Sequence, residues 1–265
     1  MTHPAIAPGH VALVTGAASG IGRALAQRLA GLGMRTVFAD LPGAALEAAA
    51  EGHGTAIAAD VAVEDGIATL EAAVAERFGR LDLLVNNAVT RRGGGCSAAE
   101  ADWRAAFAVN FWAALRALQA FRPMMEAQGT PAAIVNVGSK QGITNPPGNA
   151  AYNATKAALR FMTEQLAHEL RSAGSPVTAH LLIPGWTTTG TREHKPGAWL
   201  PEQVVEALLE GLARGDFYIL CPDNEVTPDM DRRRILWGAG DIAENRPPLS
   251  RWHADWKARA SEACD

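Results

Sequence analysis

The chain has 265 residues, of which 48% are hydrophobic and 20% are charged, and its net charge is −4. This length and apolar content provide a full hydrophobic core, which excludes a disordered protein and a small disulfide-stabilised scaffold. The slightly acidic balance gives no basic face for nucleic acid, so we expect no nucleic-acid partner.

Short apolar runs, each bounded by Gly, Pro or polar residues, alternate with helical segments along most of the chain. Such runs are typical of strands in a parallel sheet. The predicted strands are residues 11–15, 36–39, 55–59, 81–85, 133–137, 177–183 and 217–221. Because parallel neighbours need long, right-handed crossovers, we expect an α/β fold with a doubly wound, mostly parallel seven-stranded sheet and helices on both faces.

Helices are predicted between the strands, where apolar residues recur at three- and four-residue spacing. Two of them, residues 102–126 and 150–171, are long. Gly33, Gly79 and Gly215 stand where helices should end, a position that favours left-handed glycine.

The chain shows no linker or repeat, so we expect a single domain over residues 1–265. Residues 186–200 are rich in Thr, Gly and Pro and form either a lid over a substrate or a long surface connection. Pro201 then opens a helix. A C-terminal tail covers about residues 222–265.

A glycine-rich turn, Thr15-Gly-Ala-Ala-Ser-Gly-Ile-Gly22, connects the first strand to a helix. Glycines in this position allow a pyrophosphate to approach the backbone, and the helix N-terminus stabilises its charge. A glycine pattern alone is weak evidence, but its place between a strand and a helix strengthens it. The alternative is a plain strand-to-helix turn.

Acidic and amide side chains follow the next strands, at the edge where open α/β sheets bind ligands. A carboxylate at Asp40 accepts hydrogen bonds from both hydroxyls of an adenosine ribose and repels a 2′-phosphate, so we expect NAD rather than NADP. The alternative is a solvated strand end. Asp60 and Val61 follow the third strand, near the expected adenine edge, and Asn86-Asn87-Ala88 follows the fourth.

Ser139, Tyr152 and Lys156 form the densest group of chemically active residues. Tyr152 and Lys156 share a helix face at i and i+4, and Ser139 ends the fifth strand. The ordinary tyrosine pKa of ~10 is too high for acid/base work near neutrality. An ammonium ~4 Å away supplies about 4 kcal/mol, so we expect Lys156 to provide most of the required lowering of the Tyr152 pKa.

These pieces together resemble the short-chain dehydrogenase/reductase family, in its compact single-domain Rossmann branch. The resemblance spans Val11 to Thr189 and includes the glycine turn, Asp60, Asn86-Asn87-Ala88, Asn110, Ser139, Tyr152-Asn-Ala-Thr-Lys156 and Pro184-Gly185 with Thr189. It implies a catalytic set of Asn110, Ser139, Tyr152 and Lys156. In that family tyrosine exchanges the proton, serine orients the substrate oxygen, lysine also binds the nicotinamide ribose, and asparagine holds a water.

The motifs and the resemblance together predict one cofactor site. Its residues are Gly16, Ser19, Gly20, Ile21, Gly22, Asp40, Asp60, Val61, Asn87, Ala88, Tyr152, Lys156, Pro184, Gly185, Thr187 and Thr189.

The sequence departs from the family pattern at four places. Val89 stands where glycine is usual, Thr187 where an aliphatic residue is usual, and Lys140 directly follows the catalytic serine. The common C-terminal Asp-Gly-Gly segment is absent. These departures concern the substrate and not the proton-transfer residues.

Candidate substrate residues are Val89, Gln141 and Trp186, with Trp186 equally compatible with core or interface packing. Arg91 and Arg92 are either anion-recognising or solvated loop residues. The three cysteines and seven histidines have no metal-ligand spacing, so we expect no metal and reduced thiols. No signal-peptide or membrane-span pattern is present, so we expect a cytoplasmic protein.

The sequence thus predicts an NAD(H)-dependent oxidoreductase that interconverts a secondary alcohol and a ketone, with Tyr152 as general acid/base. The alternatives are a non-catalytic NAD-binding scaffold or sensor, an NADP-preferring carbonyl reductase and a nucleotide-sugar epimerase or dehydratase. The two long helices pair across subunits in relatives, which implies a homodimer or homotetramer.

Overall fold

A computed structural model describes residues 2–190 and 192–264, and its centre is a seven-stranded parallel sheet. The strands are β1 (Val11–Thr15), β2 (Arg35–Asp40), β3 (Thr55–Ala58), β4 (Leu83–Asn86), β5 (Ala132–Val137), β6 (Val177–Ile183) and β7 (Tyr218–Leu220).

The strand order is β3-β2-β1-β4-β5-β6-β7, and every neighbouring pair is parallel. The chain leaves β1 in one direction to build β2 and β3, and then crosses back to build β4 to β7. The order reverses between β1 and β4, and a crevice opens there at the carboxyl ends of the strands. The fold therefore places the loops after β1, β4 and β5 beside one another.

Helices cover both faces of the sheet. They are α1 (Gly20–Gly31), α2 (Ala44–Ala50), α3 (Glu64–Phe78), α4 (Glu100–Phe107), α5 (Ala113–Ala127), α6 (Gln141–Thr144), α7 (Ala150–Ser172), α8 (Pro201–Arg214), α9 (Pro228–Ala243) and α10 (Lys257–Cys264). Two apolar clusters result, one under α1 and α8 and the other under α3, α5 and α7. Because β1, β4 and β5 are buried on both faces, their sequences are mostly apolar, with polar residues only at Thr15, Asn86 and Asn136 near their carboxyl ends.

The predicted doubly wound sheet is confirmed, and the predicted strands differ from the observed ones by two residues or fewer at each end. Gly33, Gly79 and Gly215 all have positive φ at helix ends, and Pro201 is the first residue of α8.

The helix predicted over residues 102–126 needs a correction. A π-helical turn, Ala108–Trp112, separates α4 from α5. This turn inserts one extra residue into the helical repeat, and such insertions occur frequently at functional sites.

Among the described residues, no helix is both long and apolar enough to cross a membrane. Within residues 2–190 and 192–264, Cys96, Cys221 and Cys264 form no disulfide bond. In the same part of the chain, no three His, Cys, Asp or Glu side chains are grouped to hold a metal ion.

Candidate active site

A cavity of about 1030 Å³ opens at the carboxyl edge of the sheet. Every predicted site residue lines it except Gly22 and Asn110, which lie just behind its wall. The lining residues from the prediction are Gly16, Ser19, Gly20, Ile21, Asp40, Asp60, Val61, Asn87, Ala88, Val89, Ser139, Gln141, Tyr152, Lys156, Pro184, Gly185, Trp186, Thr187 and Thr189. Residues separated by more than 170 positions are thus brought to one cleft.

The turn after β1 is closed so tightly that only glycine fits at two of its positions. A Cβ at Gly22 would lie 2.2 Å from the Gly16 carbonyl oxygen and 2.4 Å from Asn87 Nδ2. Gly16 itself has φ +68°, and a Cβ there would lie 2.8 Å from the Ala88 Cα. The missing side chains leave the backbone and the first turn of α1 open to an anion, as a pyrophosphate requires.

Hydrogen bonds from the neighbouring strand hold this turn in place. The buried Thr15 hydroxyl accepts the N–H groups of Asn87 and Ala88 at 3.0 and 3.1 Å. Asn87 Nδ2 donates to the carbonyl oxygens of Thr15 and Gly16 at 2.9 and 3.2 Å. The Asn87 amide nitrogen therefore joins the loop after β4 to the glycine turn. Sequence reasoning missed the role of Thr15.

Asp40 ends β2 at the edge of the cavity. One carboxylate oxygen accepts the Ala18 N–H at 2.8 Å, and the other accepts the N–H of Leu41 at 2.8 Å. A carboxylate has about four acceptor positions, so two remain for ribose hydroxyls. Neither Ser19 nor Leu41, which also line the cavity here, carries a charge that would attract a phosphate.

The proton-transfer residues meet at the end of β5. Tyr152 and Lys156 lie one turn apart near the start of α7, and the Lys156 ammonium is 5.8 Å from the centroid of the Tyr152 ring. The Ser139 hydroxyl hydrogen-bonds to Tyr152 and also accepts the Gln141 N–H at 3.2 Å. Lys156 is buried and donates to the Val137 carbonyl oxygen at 2.7 Å.

Burial dominates the protonation of both groups. It raises the pKa of the Tyr152 phenol, although the Ser139 hydrogen bond and the charge of Arg91 lower it. It lowers the pKa of Lys156 to about 8. The prediction that Lys156 lowers the Tyr152 pKa is therefore wrong in this structure. The Lys156 ammonium donates its hydrogen bond to the Val137 carbonyl oxygen. Desolvation of the Tyr152 phenolate outweighs the interactions that stabilise it.

Asn110 lies in the π-helical turn and is buried. Its side chain accepts the Thr90 N–H at 2.8 Å and donates to the Thr90 carbonyl and the Thr155 hydroxyl at 3.0 and 3.1 Å. A separate cavity of about 10 Å³, lined by Asn110 and Lys156 among others, has room for on the order of one water molecule. The Asn110 amide thus fixes the backbone beside that space.

Three further features of the site did not follow from sequence reasoning. Arg192 reaches the cavity wall. Arg91 acts electrostatically on Tyr152. Lys140 forms a buried ion pair with Asp231, whose Oδ2 is 2.6 Å from Nζ. Two of them had a signal in the sequence: Lys140, through its unusual position after the serine, and Arg91, as a candidate anion-recognising residue.

Comparisons with known proteins agree with this geometry. A family model described as short chain dehydrogenase matches residues 10–197. The chain is 31% identical to the CLA biosynthesis dehydrogenase/reductase of Lactiplantibacillus plantarum, with 88% of this chain and 95% of that one covered. It is 38% identical to galactitol 2-dehydrogenase (L-tagatose-forming) of Cereibacter sphaeroides, with 68% and 72% covered.

A solved structure supports the same assignment. A short chain dehydrogenase/reductase of Burkholderia phymatum in complex with NAD superposes with a TM-score of 0.84 at 31% identity, covering 92% of this chain and 97% of that chain. The family match contains the glycine turn, the Ser139, Tyr152 and Lys156 group and most of residues 186–200. The chain belongs to the short-chain dehydrogenase/reductase family of oxidoreductases.

Proposed function

We propose that this protein is an NAD-dependent oxidoreductase that interconverts a secondary alcohol and a ketone. The observation that carries the proposal is the meeting of Ser139, Tyr152 and Lys156 in the same cavity as the glycine turn and Asp40. The glycine turn and Asp40 would hold NAD, whose oxidised nicotinamide would supply the acceptor for the hydride of the carbinol carbon. NAD and not NADP is proposed because Asp40 is acidic and neither Ser19 nor Leu41, which also line this part of the cavity, is basic.

In the proposed mechanism, Tyr152 removes the hydroxyl proton of the alcohol in oxidation and returns it in reduction. Ser139 hydrogen-bonds to the substrate oxygen and holds it beside the phenol. Burial raises the pKa of Tyr152 and disfavours its phenolate, and the Ser139 hydrogen bond and the charge of Arg91 partly offset this effect. Lys156 would bind the ribose next to the nicotinamide, and the small cavity lined by Lys156 and Asn110 has room for a water that would pass the proton on.

The remaining residues of the cleft have binding roles in this proposal. Asp60 and Val61 border the adenine, and Pro184, Gly185, Thr187 and Thr189 border the nicotinamide half. Val89, Gln141 and Trp186 form the wall of the substrate site. Residues 186–200 form the substrate loop. All of these residues lie in one dinucleotide-binding domain, and the substrate is a small alcohol or ketone.

The test measures NAD and NADP reduction over a panel of secondary and primary alcohols, with NAD affinity measured separately by fluorescence. We expect NAD reduction with at least one secondary alcohol. A protein that binds NAD but reduces it with no alcohol, and oxidises NADH with no ketone, would be a non-catalytic scaffold. A preference for NADP over NAD would instead indicate the NADP-preferring carbonyl reductase.

We also propose that the protein forms a homodimer or homotetramer. Trp112, next to α5, and Phe161, on α7, are large apolar side chains left exposed on the two long helical segments. Light scattering at micromolar concentration tests this proposal, and a monomer would contradict it.

A further inference from the structure

Lys140 occupies a buried charged environment directly beside the catalytic serine. Its side chain is 15% exposed, and Nζ lies 2.6 Å from Asp231 Oδ2 and 3.4 Å from Asp223 Oδ2. The two carboxylate side chains are each 5% exposed. We call these three residues the Lys140 cluster. Buried charges are costly unless they are paired. Separating the three side chains of the Lys140 cluster would therefore be unfavourable.

The cluster joins the turn after β5 to the loop after β6. Asp223 Oδ2 accepts the Trp186 N–H at 3.2 Å, and the Lys140 N–H donates to the Pro184 carbonyl at 3.2 Å. Gly185 lies against both partners, because a Cβ there would be 2.6 Å from Asp223 Oδ2 and 2.9 Å from Lys140 Nζ. The position of Trp186 in the cavity wall therefore depends on the Asp223 carboxylate.

The same C-terminal segment holds the far end of the substrate loop. Asn224 Nδ2 donates to the carbonyl oxygens of Pro196 and Ala198 at 2.8 and 3.2 Å, and the Asn224 N–H donates to Gly197 at 3.1 Å. A bridge between Thr187 and Trp199 closes the base of the loop. Residues 223 and 224 thus contact both ends of residues 186–200. These contacts come from beyond residue 197, where the family match ends.

We propose that residues 222–231 are a positioning element for the reaction, and that the Lys140 cluster transmits their position to the site. Lys140 directly follows Ser139 in the chain. The Asp223 carboxylate accepts the Trp186 N–H and so holds the backbone of Trp186. The cluster therefore fixes the distance between the serine that orients the substrate oxygen and the wall against which the substrate lies. Lys140, Asp223 and Asp231 are positioning residues. This inference rests on the proposed function.

The first experiment compares Asp231→Asn with Asp241→Asn. Both residues lie on α9 and both are ion-paired, Asp241 with Arg246 at 3.2 Å. Asp241 also accepts the Ser250 N–H, so its substitution loosens the tail away from the cavity. A displacement of ~1 Å at a reacting centre costs on the order of 10²-fold in rate. We expect kcat/KM of Asp231→Asn to fall ~10–100-fold and that of Asp241→Asn to stay at the wild-type level.

A second set of variants separates positioning from simple loss of stability. All assays are run well below the Tm of each variant. Lys140→Met should raise KM for the alcohol and lower kcat, and Lys140→Arg should recover part of both, because it keeps the charge near the two carboxylates. Equal losses in Asp231→Asn and Asp241→Asn, or wild-type kcat/KM in Asp231→Asn, would overturn the proposal.

Amide hydrogen exchange of residues 186–200 provides a readout that does not depend on activity. Asp231→Asn should exchange faster there than the wild type, and Asp241→Asn should not. If the wild type reduces NAD with no alcohol but the exchange difference is found, the proposed function fails, and only the coupling of the Lys140 cluster to residues 186–200 stands. If the enzyme is active but exchange over residues 186–200 is the same in all three proteins, the positioning element fails alone.

Discussion

Asp40→Asn is expected to relax the preference for NAD over NADP. The substitution removes one negative charge at the end of β2 and keeps an oxygen that accepts the Ala18 N–H, so the glycine turn should retain its geometry. A 2′-phosphate bound at this edge would lie ~4 Å from the carboxylate, where like charges repel by about 4 kcal/mol at an effective dielectric constant of ~20. This energy corresponds to roughly a thousandfold in affinity.

Asp40 is half-buried, so water screens part of this repulsion. We therefore expect the ratio of kcat/KM for NADP to that for NAD to rise between ~10-fold and ~10³-fold. Steady-state assays with both coenzymes and one alcohol measure it. Asp60→Asn is the matched control: it removes the same charge one strand away and keeps an acceptor for the Ala62 N–H. An unchanged ratio in Asp40→Asn, or an equal change in both variants, would contradict this prediction.

Three other predictions concern the turn and the proton-transfer residues. Arg91→Met removes a charge that lowers the Tyr152 pKa, so the rising limb of the pH profile for alcohol oxidation should move to higher pH. Lys156→Met removes a buried cation whose pKa is lowered to about 8 and should abolish activity. The free energy of unfolding of this variant at pH 7, measured by urea titration, should be about 2 kcal/mol higher than that of the wild type. Removing the desolvated ammonium stabilises the fold by more than the loss of its hydrogen bond to Val137 costs. Gly22→Ala should abolish NAD binding, measured by calorimetry, because its Cβ would collide with Gly16.

Each of these predictions has a result that would contradict it. An acid shift of the Arg91→Met profile would mean that the arginine does not favour the phenolate. Lower stability of Lys156→Met at pH 7 would mean that burying the ammonium costs less than its hydrogen bond contributes. Full NAD affinity in Gly22→Ala would show that the glycine turn has room for a side chain.

The centre of the sheet was predictable because β1, β4 and β5 are buried along their whole length and are therefore mostly apolar. β1 and β6 begin and end at the predicted residues: the glycine turn follows β1, and Pro184 follows β6, although β6 also contains Thr178 and His180. The cleft residues were predictable for a related reason: parallel strands bring their carboxyl ends to one edge, so residues that follow each strand meet there.

Other features required coordinates because they depend on contacts that are distant in sequence. The π-helical turn Ala108–Trp112 inserts one residue without changing the apolar pattern around it. Lys140 meets Asp223 across 83 positions, and no spacing rule links them. The raised pKa of Tyr152 results from burial, which a helix-spacing argument between Tyr152 and Lys156 does not include. The sequence therefore predicts which reacting groups share the cleft, whereas their pKa values depend on how the folded chain packs around them.

The phenol of Tyr152 is the centre of the account, and the chain offers a close control for it. Tyr218, its only other tyrosine, is exposed on β7 and donates to Glu164 at 2.9 Å. In single-turnover assays with saturating NAD and the best alcohol of the panel, Tyr152→Phe should lose on the order of 10²–10⁴-fold in hydride-transfer rate and keep its NAD affinity. Tyr218→Phe should react like the wild type. A Tyr152→Phe protein that transfers hydride at close to the wild-type rate would contradict the account.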